Sequence, residues 1–98
     1  MIEIRESDVF ARWFAGLRDH VGRTRILVRI RRLSLGNPGD VRSVGQGVAE
    51  IRMDVGPGYR VYLQRKGSTV IILLCGGDNS TQAKDIKTAK RLAKEWSE

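Results

Sequence analysis

The fold of this chain is decided by residues 50–75, which read EIRMDVGPGYRVYLQRKGSTVIILLC. Near its start, Ile51, Met53 and Val55 alternate with charged residues, a period of two that is typical of a half-buried strand. The Gly-Pro-Gly sequence at 56–58 predicts a turn, because proline fixes its backbone angle and glycine tolerates positive φ. This first part therefore predicts one arm of a hairpin.

Two further strands follow. Residues Tyr59–Arg65 alternate again, and Lys-Gly-Ser at 66–68 predicts the next turn. Residues Thr69–Cys75 are apolar on both faces, as expected for a strand in the middle of a sheet. Three strands joined by short turns predict an antiparallel meander.

Helical patterns precede and follow the meander. Ser7 is expected to cap a first helix whose apolar stripe is Phe10, Trp13, Phe14 and Leu17. A second helix is predicted over Arg23–Leu35, where Arg25, Arg29 and Arg32 share the face opposite the apolar one; a strand over Arg25–Arg31 is left open as an alternative.

Residues 36–49 are predicted to form a glycine-rich connector. A short first strand within Met1–Arg5 and a last helix over about Ser80–Trp96 complete the order β-α-α-β-β-β-α. We therefore predict one domain, residues 1–98, of the α+β class: an antiparallel sheet with an N-terminal helical hairpin and a C-terminal helix.

The composition is strongly basic. The 98 residues include 18 Lys+Arg against 11 Asp+Glu, a net charge of +7. All five lysines lie from position 66 onward, which leaves thirteen arginines. Arginine suits bidentate contacts to phosphate or carboxylate, so the charge favours a phosphate-rich partner or an acidic protein. A coding preference for arginine on ordinary solvated faces explains it equally well.

Several function classes are disfavoured. No apolar run approaches the ~20 residues of a membrane span, and the N-terminus lacks a signal-peptide pattern. With Cys75 as the single cysteine, we expect a cytoplasmic protein. No metal-ligand spacing or phosphate-binding loop is present, and His20 has no neighbours that would make it a base. We therefore expect no metal, no other cofactor and no membrane partner.

Two segments are candidates for a binding site. If the apolar strand residues face a core, Glu50, Arg52, Asp54, Arg60, Tyr62 and Gln64 share an open face. There Arg52 and Arg60 are expected to approach each other and bind a phosphate, while Tyr62 stacks on a base. The alternative is a solvated face with arginine–carboxylate pairs.

The second candidate is Gly76–Gln82, where a strand ends and a helix begins. Free backbone amides at such a position attract anions. Alternatively, the segment is only a connection in which Asn79 and Gln82 form a capping box.

Five motifs stand in one order along the chain and carry a resemblance. They are RRLSLGNPGD at 31–40, GVAEIRMD at 47–54, GPGYRVY at 56–62, LLCGGD at 73–78 and STQAKDI at 80–86. Together they resemble the RelE/ParE toxin superfamily, and specifically its HigB-like addiction module killer group. The similarity spans nearly the whole chain and implies a small RelE-like fold.

The resemblance implies the toxin of a bacterial type II toxin–antitoxin system. Many RelE-like members bind the ribosome and cut mRNA without a metal, which arrests translation. By this similarity Arg60 and Arg52 are the catalytic residues, and the expected RNA contacts are Tyr62, Asn79, Arg25, Arg29 and Arg32. The implied partners are the ribosome with its mRNA and a HigA-like helix-turn-helix antitoxin, bound in a toxin–antitoxin hetero-oligomer.

The sequence also departs from the group. Its members commonly have lysine where this chain has Asn79, and arginine is a poor proton acceptor. The residues therefore indicate phosphate binding more clearly than proton transfer. Two alternatives follow: a ParE-like inhibitor of DNA gyrase, and a toxin homologue with weakened or lost catalysis.

Overall fold

Five strands form one mixed sheet that carries helices on both faces. The computed structural model describes residues 1–96. The strands are β1 (Glu3–Glu6), β2 (Val41–Gly45), β3 (Val48–Met53), β4 (Tyr59–Lys66) and β5 (Val70–Gly77). The helices are α1 (Asp8–Ala15), α2 (His20–Ser34) and α3 (Gln82–Glu95), the last preceded by a 3₁₀ turn at Asn79–Thr81. The α+β class is therefore confirmed.

The strand order in the sheet is β1-β5-β4-β3-β2. Strands β2 to β5 form an antiparallel meander, of which the turns at 56–58 and 66–68 predict the part from β3 to β5. Strand β1, in contrast, pairs with β5 in parallel, so the prediction of a purely antiparallel sheet is wrong. Because β5 is apolar on both faces, it lies inside the sheet and needs a neighbour on each edge; β1 supplies the second one.

The predicted connector at 36–49 contains a strand that sequence patterning missed. Strand β2 pairs with β3, and the tight turn between them carries Gln46 and Gly47 at φ of 56° and 78°. The side chains of β2 are mostly exposed, because it is the edge strand. An exposed edge strand buries no alternating face, so it leaves no period-two signal.

The N-terminal helices confirm the predicted hairpin with shifted boundaries, since α1 ends at Ala15, before Leu17, and α2 ends at Ser34 rather than Leu35. The Ser7 hydroxyl accepts a hydrogen bond from the Phe10 amide at 3.0 Å, as expected of an N-cap. Helix α2 begins at His20 rather than Arg23, because Asp19 caps it by accepting from the Gly22 amide at 3.0 Å. The helix runs through the segment for which a strand was the alternative. No helix in the described part of the chain is long and apolar enough to cross a membrane.

One core lies between the α1–α2 hairpin and the sheet. Phe10 from α1 and Ile26 from α2 are fully buried there against apolar residues of β3, β4 and β5. Trp13 lies directly over Gly76, where a Cβ atom would approach its ring to 2.2 Å. The glycine at this position is therefore required by the aromatic ring above it.

A second core lies on the opposite face, beneath α3. Ala89 and Ala93 of the helix pack against β-strand residues that include Ile72 and Leu74. The prediction of an open face is therefore wrong: Glu50 and Tyr62, which were expected on it, are fully buried. Helix α3 has an apolar stripe that needs a partner, and the second apolar face of β5 provides it.

A buried polar network ties α3 to the sheet. The Tyr62 hydroxyl and the Gln82 side-chain amide each donate a hydrogen bond to Glu50 Oε2, both at 3.0 Å. Since a buried carboxylate is costly unless hydrogen bonds satisfy it, these two donors stabilise Glu50 inside the core. Gln82 is the first residue of α3, so the network also fixes where that helix begins.

The two tyrosines predict alkaline instability. Burial, together with a hydrogen bond to a carboxylate, raises the pKa of both Tyr59 and Tyr62 above the ordinary value. The unfolded chain therefore ionises first, near pH ~10, so this contribution to stability is complete below pH ~10 and declines above it. We expect the phenolate absorbance to stay low in the folded protein past pH ~10 and to rise with unfolding. Comparison with Tyr62→Phe shows how much of the loss of stability above pH ~10 is due to Tyr62. If both tyrosines ionise at about pH 10 while the protein stays folded, the prediction is contradicted.

The contact between Trp13 and Gly76 predicts that a methyl group at position 76 destabilises the fold more than one at position 16. Gly76→Ala is expected to destabilise the fold by about 1–3 kcal/mol, because the new methyl group overlaps the ring. Gly16→Ala is the control, since its Cβ atom would lie 3.5 Å from the nearest heavy atom and its backbone is helical. Urea unfolding measures both. Equal midpoints for the two variants would show that Trp13 does not restrict position 76.

Candidate anion-binding site

Three of the residues predicted for the site meet at one end of the sheet. Arg52 of β3 lies directly opposite Arg60 of β4 in the strand register. The 3₁₀ turn that follows β5 brings Asn79 to the same place. Together with residues of the 54–59 turn, they line a small recess of about 30 Å³, which is the scale of one water molecule or one phosphate oxygen.

Arg60 is the central side chain of this recess. It is only 6% exposed, and its Nη1 lies 3.8 Å from Glu50 Oε2, within ion-pair range. Nη1 nevertheless makes no hydrogen bond to any of the residues 1–96. A guanidinium group stays charged in proteins, and a buried donor without an acceptor is costly. Because Nη1 is buried beside Glu50, Arg60 contributes to the recess that it lines chiefly by its positive charge, which attracts an oxyanion.

Glu50 is the structural counterpart of Arg60. Its Oε2 accepts from Tyr62 and Gln82, whereas its Oε1 has no hydrogen-bond partner among the described residues. The carboxylate balances the arginine charge from the core side without a close bidentate contact. Arg60 also lines the recess, together with Arg52 and Asn79.

Asn79 is held against the turn before β4. Its side chain packs on Gly58, where a Cβ atom would lie 2.8 Å from Asn79 Nδ2. The backbone N–H of Asn79 donates a hydrogen bond to the Pro57 carbonyl at 3.3 Å. Gly58 also has φ of +77°, so both its conformation and its contacts require glycine. The turn and the loop after β5 thus form one wall of the recess.

The predicted capping role of Asn79 is wrong. Asp78 caps this turn instead: its carboxylate accepts from the Ser80 amide at 2.8 Å, and the Thr81 hydroxyl accepts from the Asp78 amide. Because a carboxylate of the chain already occupies the Ser80 amide, the predicted anion site on the free amides of this helix start is not formed. Asn79 contributes its side chain to the recess rather than a cap.

Tyr62 and Arg29, which were expected to contact RNA, are used within the fold. Tyr62 is fully buried, so its ring is not accessible for stacking on a base. Arg29 donates to the carbonyl of Arg52 at 2.7 Å and to those of Pro38 and Asp40 at 3.1 Å. It fastens the connector to β3, and burial lowers its pKa.

Arg25 and Arg32 remain exposed on α2. They line an open groove of about 420 Å³ between this helix and the end of β3; the other lining residues are Thr24, Val28, Arg29, Met53 and Asp54. Met53 and Asp54 also line the recess, so the groove and the recess adjoin.

Sequence patterning missed the residues that shape the recess. Gly58 and Tyr59 line it, and the Tyr59 hydroxyl donates to Asp19 Oδ2 at 2.9 Å, which fastens the turn to the start of α2. The only available signal was the Gly-Pro-Gly-Tyr sequence of the turn. Cys75 is not a rival nucleophile, since burial raises the pKa of its thiol to about 12.

The arrangement suits the binding of a phosphate and the stabilisation of charge that develops on it. Two arginine side chains and one asparagine side chain line the recess from three different elements, and burial holds Arg60 in place. Groups that are positioned before the ligand arrives stabilise a developing charge without reorganisation. A carboxylate, that of Asp54, lies in the same lining and is able to accept a proton.

Comparison with known proteins places the chain among its relatives. No family model matches it. It is 49% identical over 94 residues to a protein of Haemophilus influenzae that bears the name "Uncharacterized protein". The matched region covers 96% of this chain and 95% of the relative, so the similarity extends over the whole domain described above. The chain therefore belongs to the same family as this Haemophilus influenzae protein.

Proposed function

We propose that this protein is the toxin of a bacterial type II toxin–antitoxin pair and cuts mRNA at the ribosome, in the cytoplasm, without a metal. One observation carries the proposal: the nearly buried, positively charged side chain of Arg60 lines a recess that it shares with Arg52 and Asn79. A phosphodiester is the ligand that best matches this group of donors. The ordered motifs of the RelE/ParE superfamily support the same assignment, and with it an antitoxin as the partner.

In the proposed reaction the RNA supplies its own nucleophile. The 2′-oxygen forms a bond to the adjacent phosphorus, the bond from phosphorus to the 5′-oxygen breaks, and a cyclic phosphate and a 5′-hydroxyl result. Arg60 and Arg52 neutralise the charge on the phosphoryl oxygens, and the Asn79 amide donates a hydrogen bond to one of them. We assign Asp54 as the group that takes the 2′-proton and returns a proton to the leaving oxygen.

The first prediction of the proposal concerns the arginines. Arg52→Ala and Arg60→Ala are each expected to abolish growth arrest and to slow cleavage of ribosome-bound message by about 10²–10³-fold, because each removes a charge that stabilises the transition state. Arg65→Ala is the matched control, since Arg65 is exposed on the same strand as Arg60 and its guanidinium donates to the Gly67 and Ser68 carbonyls of the next turn. Primer extension on mRNA measures cleavage, and circular dichroism verifies folding.

Arg52→Ala keeps this test independent of the buried ion pair, because Arg52 is half-buried and makes no ion pair with any of the described residues. Undiminished arrest by the folded Arg52 and Arg60 variants would refute the proposal. Growth arrest with intact mRNA and an induced DNA-damage response would instead identify a gyrase inhibitor. A wild-type chain that causes no arrest would indicate lost catalysis.

The second prediction concerns the proton. Asp54→Asn is expected to slow cleavage by about 10²–10⁴-fold, since the amide cannot accept the 2′-proton. Binding of an RNA with a 2′-deoxy substitution at the cleavage site is expected to stay unchanged or to tighten, because a negative charge leaves the recess. Asp40→Asn serves as the control, as an exposed acidic residue in the connector. A wild-type cleavage rate in Asp54→Asn would remove this residue from the mechanism.

A further inference from the structure

The outer side of α2 carries apolar residues where solvent-facing positions are usually polar. Val21, Val28 and Leu35 recur at intervals of seven residues, which places them on one side of the helix and its C-cap. Their side chains are 61%, 41% and 58% exposed. Ile26 and Leu33 face the opposite way, into the core. Helix α2 is therefore apolar on two sides, and the structure covers only one of them.

Arginines border this apolar row on both sides. Arg25 and Arg32 lie along the edge next to the groove, and Arg31 lies along the other edge. All three are exposed, and none forms an ion pair within residues 1–96. We call the row and its three arginines the α2 face. It combines an aliphatic strip with uncompensated positive charge.

We propose that the α2 face is the docking site of a protein partner that presents an acidic, amphipathic helix. Aliphatic residues on that helix would cover Val21, Val28 and Leu35, and carboxylates beside them would pair with the arginines. Exposed apolar rows with a polar border are typical of protein interaction sites. The interaction does not depend on any activity at the recess.

Two other occupants fit less well. A second copy of this chain would bring arginine against arginine between molecules of net charge +7, which opposes association. RNA binding needs stacking surfaces as well as cations, and the α2 face contains no aromatic side chain. The exposed valine and leucine side chains are best removed from water by the apolar side chains of a protein partner.

The position of the α2 face also gives it a regulatory consequence. The groove along its edge shares Met53 and Asp54 with the recess that contains Arg60. A helix seated there would lie against the entrance of the recess. A docked partner is therefore expected to hinder the entry of a phosphodiester.

The experiment uses the whole chain and a designed peptide of about 18 residues. The peptide places leucine at helical i, i+3, i+4 and i+7 spacing with glutamate elsewhere; a second peptide has lysine in place of glutamate. Fluorescence anisotropy measures affinity, and amide chemical shifts locate the site. We expect the glutamate peptide to bind at least tenfold more tightly than the lysine peptide and to shift the amides of α2.

Two variants test the α2 face directly. Val28→Glu and Arg25→Glu are each expected to weaken binding of the glutamate peptide at least tenfold, because one removes apolar cover and the other reverses a charge. Arg91→Glu is the matched control, since Arg91 is exposed on α3 at the other face of the sheet. Because all three positions are exposed, we expect the variants to fold; circular dichroism verifies this.

Several results would overturn the inference. Equal binding of both peptides would show that charge does not contribute to docking, and equal loss in Arg91→Glu would show that only net charge matters. A dimer that Val28→Glu dissociates would assign the face to a second copy. Binding of a single-stranded RNA that Val28→Glu weakens would assign it to nucleic acid. We expect Arg52→Ala to bind the glutamate peptide as tightly as the wild-type chain does, since Arg52 lies outside the α2 face. This variant therefore separates the test of docking from the test of the proposed cleavage.

Discussion

Strand β5 has apolar residues on both of its faces, and the rest of the structure is arranged to cover them. Ile71 and Leu73 face the α1–α2 hairpin, while Ile72 and Leu74 face α3. All four are almost completely buried. Because burial of such residues is the main favourable contribution to folding, a helix layer is needed on each side, and a neighbouring strand on each edge.

Covering the second face of β5 determines the character of the candidate site. Helix α3 cannot pack on this side without also enclosing Glu50 and Tyr62 on the neighbouring strands. A buried carboxylate needs donors and a positive partner, and Tyr62, Gln82 and Arg60 provide them. Arg60 is therefore drawn into the protein, where its charge is stronger toward a ligand than it would be in water. The recess is a consequence of how the sheet is covered.

Part of the membership of the site was predictable from the sequence, but the burial of its residues was not. The alternation of β3 and β4 already placed Arg52 and Arg60 across from each other, since pairing over a short turn is local. Local patterns placed Asn79 in a separate loop, and only the family resemblance grouped it with the arginines, because its contact with Gly58 joins segments twenty-one residues apart. Tyr62 was assigned to an exposed surface because a period of two cannot tell a face covered by solvent from one covered by a helix.

The sequence by itself determined the secondary structure that depends on near neighbours: the strand periods of residues 50–75, the Ser7 cap and the apolar stripes of the helices. It also determined the +7 charge and the register of the two central arginines. Only the tertiary structure decided that β1 joins β5 in parallel, that the exposed segment after α2 forms an edge strand, and that α3 covers the presumed open face. The first and third outcomes rest on contacts between segments that are far apart in sequence, and the edge strand has no buried alternating face, so no local pattern records them.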